Sequence, residues 1–193
     1  FECEKLKRNY IGFDINKQII DYVRGKMQPS SQIKYEICDC DVADFTEFNQ
    51  AAINVCNEQG IEKVDFLIAH PPYLDVVKFT QDKRDLSQIS DIDTFMSKFV
   101  DAMRNGLSFL AKDKYFALVA GDIYKRSEVV PLAFYMMDAV KKNFNVKMKG
   151  VIIKNIEGNK GKLGSQDIWK YRALKSDYFL FKHEYIFVFK KMD

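Results

Sequence analysis

Two consecutive prolines stand between a histidine and a tyrosine in His70-Pro71-Pro72-Tyr73, where an apolar run, Val64–Ala69, ends. Each proline fixes φ at about −65° and has no N–H. The residue before each is pushed into the extended region. The turn is therefore stiff before any ligand arrives. Pro71 keeps its carbonyl as an acceptor, neutral His70 has one accepting ring nitrogen, and Tyr73 offers a flat face. Two acceptors beside a stacking ring suit a planar group that carries an –NH₂. The plainer reading is a rigid turn that ends a strand. Carboxylates follow other apolar runs. Asp14 ends Tyr10–Phe13, Asp39 and Asp41 alternate with Cys38 and Cys40, and Asp122 follows Gly121. A fixed acid such as Asp14 could accept from both hydroxyls of a ribose, or serve as a turn acid or cap. Asp41 could accept from the exocyclic amine of an adenine. Asp39 and Asp44 compete for that role, and a helix cap is equally open.

These residues need elements to aim them. Tyr10–Ile15, Ile33–Cys38, Val64–Ala69, Tyr115–Ala120, Val146–Ile153 and Tyr185–Phe189 read as strands. Helical patterns separate them. Asn16 is placed to cap a helix carrying Ile19, Ile20, Val23 and Met27. A second runs over Asp44–Asn57 and is closed by Gly60. A third, capped by Ser90, aligns Ile92, Phe95, Phe99, Met103, Leu107 and Leu110 in one stripe. Pro131 sits where a first turn tolerates it, ahead of Leu132–Asn143. Alternating strands and helices with continuous apolar strands predict an α/β fold: a mostly parallel sheet with helices on both faces. The last two strands have no helix between them, which predicts an antiparallel strand at the sheet edge. Lys154–Asp177 is a loop or small excursion. In an open α/β sheet ligands bind beyond the carboxyl ends of strands, where the residues above would lie.

Composition narrows the classes. The chain has 193 residues, 47% hydrophobic and 14% aromatic, enough for one domain with a sizeable core. The net charge of +3 is spread among 30% charged residues, which permits a nucleic-acid partner without requiring one. No apolar run is long enough to span a membrane, and the charged start carries no apolar signal segment. Cys3, Cys38, Cys40 and Cys56 form one CxC and no CxxC, so a zinc site is not expected. They read as reduced, buried thiols of a cytoplasmic protein.

HPPY resembles the (Asp/Asn/Ser)-Pro-Pro-(Tyr/Phe/Trp) motif of the amino-methyltransferases that use S-adenosylmethionine. That family methylates exocyclic amines of adenine or cytosine in DNA, some RNA bases and, in one branch, a protein glutamine. RNYIGFDIN (Arg8 to Asn16), DVADF (Asp41 to Phe45), ALVAGDIYKR and HEYIFVFKK are also similar to segments of its DNA group, and the likeness covers most of the chain. The resemblance implies a Rossmann-like fold, with 1–193 a single catalytic domain. It implies that Asp14 and Ile15 hold the cofactor ribose and that Asp41 and Val42 hold its adenine. His70 and the Pro71 carbonyl would hold the target amine, His70 also bordering the cofactor, while Pro72 stiffens the turn and Tyr73 stacks on an extruded base. DNA is the expected partner ahead of RNA, with a homodimer or a specificity subunit beside it. Nucleic-acid contacts would fall to Lys78, Lys83 and Arg84 and to Lys160, Lys162 and Trp169, basic residues near aromatics. A solvated loop is the plain alternative for the second group. An RNA or protein-glutamine methyltransferase, or a non-catalytic methyltransferase-like nucleic-acid-binding subunit, also stays open. The sequence departs from the motif at His70, and the first strand with its glycine-rich loop, expected before Phe1, is missing from these residues. His183 and Glu184 read as structural.

Overall fold

The computed structural model describes residues 1–27, 33–156 and 181–193. A short helix α1 (Glu2–Lys5) precedes strand β1 (Tyr10–Asp14). Asn16 caps helix α2 (Lys17–Lys26) by accepting from the Ile19 amide at 3.2 Å. Strand β2 (Tyr35–Asp39) pairs with β1 in parallel, and Arg24 of α2 reaches Glu36 and the Ile37 carbonyl to hold helix against strand. Helix α3 (Phe45–Gln59) is capped by Asp44 and stops at Gly60. There φ is +71°, the left-handed conformation that glycine adopts without a Cβ clash.

Strand β3 (Val64–Ala69) has the span its apolar run predicts, because Pro71 and Pro72 cannot continue a ladder. Helix α4 (Ile92–Phe109) buries the predicted stripe, with Phe95, Phe99, Met103 and Leu107 all inside. Its cap is Asp91, which accepts from the Thr94 amide at 2.9 Å, and not Ser90. Strand β4 (Leu110–Ala120) starts earlier than predicted and carries the core residues Leu110, Phe116, Leu118 and Ala120. A hairpin absent from the sequence expectations follows, β5 (Ile123–Lys125) and β6 (Glu128–Val130). Its turn residues Arg126 and Ser127 have φ of 53° and 63°. Helix α5 (Leu132–Asn143) begins directly after Pro131. Strands β7 (Val146–Asn155) and β8 (His183–Lys191) complete the order, and β7 takes in Lys154, expected to open the loop.

Four strands form one sheet in the order β3-β4-β8-β7. The expected antiparallel strand exists, but it is interior. β8 runs antiparallel to both neighbours, and β7 holds the edge. Burial accompanies this position: Phe187 and Phe189 of β8 are completely enclosed. Leu67, Phe116, Leu118, Phe187 and Phe189 share one face, packed beneath α4 and α5. From the opposite face Phe66, Ile68 and Ile152 project and are exposed among the described residues. Among those residues β1 pairs as a strand only with β2, and β3 only with β4. The β1–β2 layer meets the larger core where Phe48 of α3 packs edge-on against Phe109. Asn105 of α4 reinforces the contact by donating to the Val42 carbonyl at 2.9 Å.

Candidate active site

The stiff turn after β3 sits at the rim formed by the carboxyl ends of the parallel strands. His70 is exposed, while Pro71, Pro72 and Tyr73 are half-buried. Leu74 follows at φ 54° with no exposed surface. A buried leucine in the left-handed region costs about 1–2 kcal/mol, and its anchoring in the core holds the turn in place. The tyrosine ring lies on Gly121 at the end of β4. A Cβ there would fall 2.8 Å from Tyr73 Cε2, so only glycine admits the ring.

Glu184 of β8 joins this cluster. The Tyr73 hydroxyl donates to Glu184 Oε1 at 3.0 Å, and Lys154 of β7 donates to Glu184 Oε2 at 3.0 Å. His70 Nε2 lies 3.2 Å from the Tyr73 oxygen. Burial, the nearby carboxylate and the hydrogen bond to it raise the Tyr73 phenol above its ordinary value. Burial also pushes Glu184 up, but hydrogen bonds from Lys154 and Tyr73 outweigh it and hold the carboxyl low. Although His70 is exposed overall, partial burial of its ring lowers the imidazole; Lys154 adds to that and Glu184 opposes it. The cluster thus keeps a neutral imidazole, a protonated phenol and a carboxylate. Glu184 lies 111 residues from Tyr73, which is why spacing along the chain did not point to it. Its signal was a lone acid opening a strand whose next residues are apolar on both faces.

The two acids expected to hold a nucleotide lie at or just past the carboxyl ends of β1 and β2. Asp14 is exposed at the end of β1, and its Oδ1 accepts from the Asn16 amide at 2.7 Å. Asp41 is buried, and its Oδ1 accepts from the Ala43 amide at 2.9 Å. Among the described residues the second oxygen of each accepts no hydrogen bond. Ile15 is half-buried beside Asp14, and the Val42 carbonyl is taken by Asn105. Asp44 is the α3 cap, so its carboxylate is engaged. Asn16 Nδ2 donates to the Phe79 carbonyl at 3.3 Å, joining the turn after Asp14 to the segment after Tyr73.

That segment is built around Asp85, which is buried and accepts from the Thr80 amide and hydroxyl and from the Ser87 amide. Lys125 of the hairpin fastens it further through Ser90 and Asp75. Of its basic residues, Lys78 and Lys83 are exposed. Arg84 is occupied by Asp82 at 2.8 Å and Glu47 at 3.0 Å. Lys160, Lys162 and Trp169 lie outside the described residues.

No family model matches the chain, and no curated protein matches it in sequence. Solved structures do match in shape. A SAM-dependent methyltransferase of Methanosarcina mazei aligns over 99% of this chain and 85% of its own, at 9% identity and a TM-score of 0.52. A methyltransferase homologue of Pyrococcus horikoshii aligns over 94% and 53%, at 10% identity and a TM-score of 0.53. TTHA0409 of Thermus thermophilus, assigned to the DNA modification methylases, aligns over 68% of this chain at 17% identity and a TM-score of 0.47. The chain spans about half of that protein's length, 46%. The chain therefore has the Rossmann-like α/β fold found in SAM-dependent methyltransferases.

Proposed function

We propose that this chain is the core of an S-adenosylmethionine-dependent methyltransferase acting on an exocyclic amine of adenine or cytosine in DNA. The observation that carries the reading is a link between two features of the chain. The Asp14 turn is joined, through the Asn16–Phe79 hydrogen bond, to the segment that leaves the proline-stiffened HPPY turn. The residues fit the nucleoside part of the cofactor. Asp14 has an open carboxylate oxygen for the ribose hydroxyls, and Asp41 has one for the adenine amine. When bound, the cofactor supplies an electrophilic methyl group.

The protein's own part is positioning. The Pro71 carbonyl and a neutral His70 nitrogen accept the hydrogens of the target amine, which keeps its lone pair directed outward. The same acceptors favour the positive charge that grows on the nitrogen. Tyr73 presents its ring to a base extruded from the stack. Lys78 and Lys83 are exposed and would meet phosphates beside the turn.

Transfer of a labelled methyl group to duplex DNA, RNA and protein tests the reading. DNA should be labelled, and Asp14→Ala should abolish labelling while weakening cofactor binding by calorimetry. Labelled RNA or protein with unlabelled DNA would replace the substrate assigned here. Absent cofactor binding would favour a non-catalytic nucleic-acid-binding subunit, the reading that His70 in place of Asp, Asn or Ser supports.

A further inference from the structure

A neutral imidazole can accept through only one nitrogen, and which one is decided by what its neighbours donate. Ionised Glu184 has no proton to give, so the Tyr73–Glu184 contact uses the phenolic hydrogen. Lys154, an obligate donor, occupies the other carboxylate oxygen. With its one hydrogen committed, the Tyr73 oxygen can only accept from His70 Nε2 at 3.2 Å. That nitrogen must therefore carry the ring proton. Nδ1 is left with its lone pair, and among the described residues nothing donates to it.

We infer that Lys154, Glu184 and Tyr73 form a relay of hydrogen bonds that fixes His70 as the Nε2–H tautomer and reserves Nδ1 as the acceptor for the substrate amine. Glu184 and Lys154 are positioning residues: they touch no substrate and act through Tyr73. Gly121 belongs to the same device, since its missing Cβ lets the ring reach Glu184. The assignment of Nδ1 to a substrate amine rests on the methyltransferase reading; the tautomer does not. An aspartate or asparagine at this position would accept through an oxygen without such help. A histidine needs the relay, because the wrong tautomer would turn a donor toward an amine that is itself a donor.

Nitrogen-15 spectra of the ring-labelled chain near neutral pH test the relay. Only two histidines contribute, and His70→Asn identifies the His70 signals. In the native chain Nε2 should be protonated and Nδ1 not. Tyr73→Phe keeps the ring but removes the oxygen, so the shifts of the two nitrogens should move toward each other as the tautomers exchange. Glu184→Ala frees the phenol to donate to Nε2, so the spectrum should shift toward Nδ1–H. It should also lower kcat for methyl transfer by roughly 100-fold with little change in cofactor binding. A protonated Nδ1 in the native chain, or a Tyr73→Phe spectrum identical to it, would overturn the relay. The Tyr73→Phe comparison decides the matter even if Glu184→Ala fails to fold. Native spectra as expected together with no methyl transfer to any substrate would leave the relay standing and remove the functional reading instead.

Discussion

Gly121→Ala is the substitution whose effect follows most directly from geometry. The added methyl carbon would lie 2.8 Å from Tyr73 Cε2, about 0.6 Å inside the distance at which ordinary contact begins. A free tyrosine would swing aside at little cost. This one is held at its far end by Glu184 at 3.0 Å and at its base by two prolines and a buried leucine. Either the ring moves and the bond to Glu184 stretches toward the limit of a hydrogen bond, or the backbone of β4 gives way. Forced overpacking of this kind costs about 1–3 kcal/mol. For a chain of this size a loss of about 2 kcal/mol lowers Tm by roughly 4–8 °C. The assay is a double-mutant cycle read by urea and thermal unfolding: Gly121→Ala alone, Tyr73→Ala alone, and both together. If the methyl group clashes with the ring, Gly121→Ala should be nearly silent once Tyr73 is alanine, a coupling of about 1–2 kcal/mol. Additive losses, or an undiminished Tm in the single variant, would refute the claim that glycine is there to admit the tyrosine.

Other consequences can be checked separately. His70 has its imidazole lowered, so activity should hold through neutral pH and decline as the pH falls below the ordinary imidazole range, where the ring takes up a proton and loses its acceptor. Stability should fall over the same range, because the unfolded chain binds that proton first. His70→Asn should keep activity and flatten the acid limb of the rate profile; an unchanged limb would count against the acceptor role. Asp85→Ala removes the acceptor for three donors inside the 75–91 segment and should cost about 1–3 kcal/mol, with faster amide exchange at Thr80 and Ser87 as the local signature. Ser127→Gly relieves a left-handed residue in an exposed turn and should stabilise the chain by about 1 kcal/mol in denaturant titration.

Much of this arrangement was legible in the residues, for reasons that can be named. Strand β3 ends where prolines forbid pairing, α3 ends where Gly60 accepts a positive φ, and α4 buries the stripe at its helical spacing. All three are local signals. The hairpin β5–β6 was not legible, because its turn is made by Arg126 and Ser127 in place of the glycine or asparagine that normally announces it. The interior position of β8 had a signal that was passed over: Ile186 and Val188 alternate with Phe187 and Phe189, so both faces of the strand are apolar. The contact of Glu184, read from the sequence as structural, with Tyr73 was not legible, since it is made by sheet order alone. Arg84 stands among the basic residues expected to meet phosphates. Its neutralisation by Asp82 and Glu47 depends on a loop path that charge counting does not reveal.

The late insertion of β8 between β4 and β7 sets a schedule for the nascent protein. Tyr73 emerges from the ribosome more than a hundred residues before Glu184 does. Until then β4 and β7 each lack a neighbour on the side that β8 will fill, and the tyrosine has no carboxylate to grip. Pairing over so long a span is slow, because the loop must close before any contact rewards it. Emergence of β8 should therefore precede competence by a measurable lag, during which two open strand flanks invite chaperone capture.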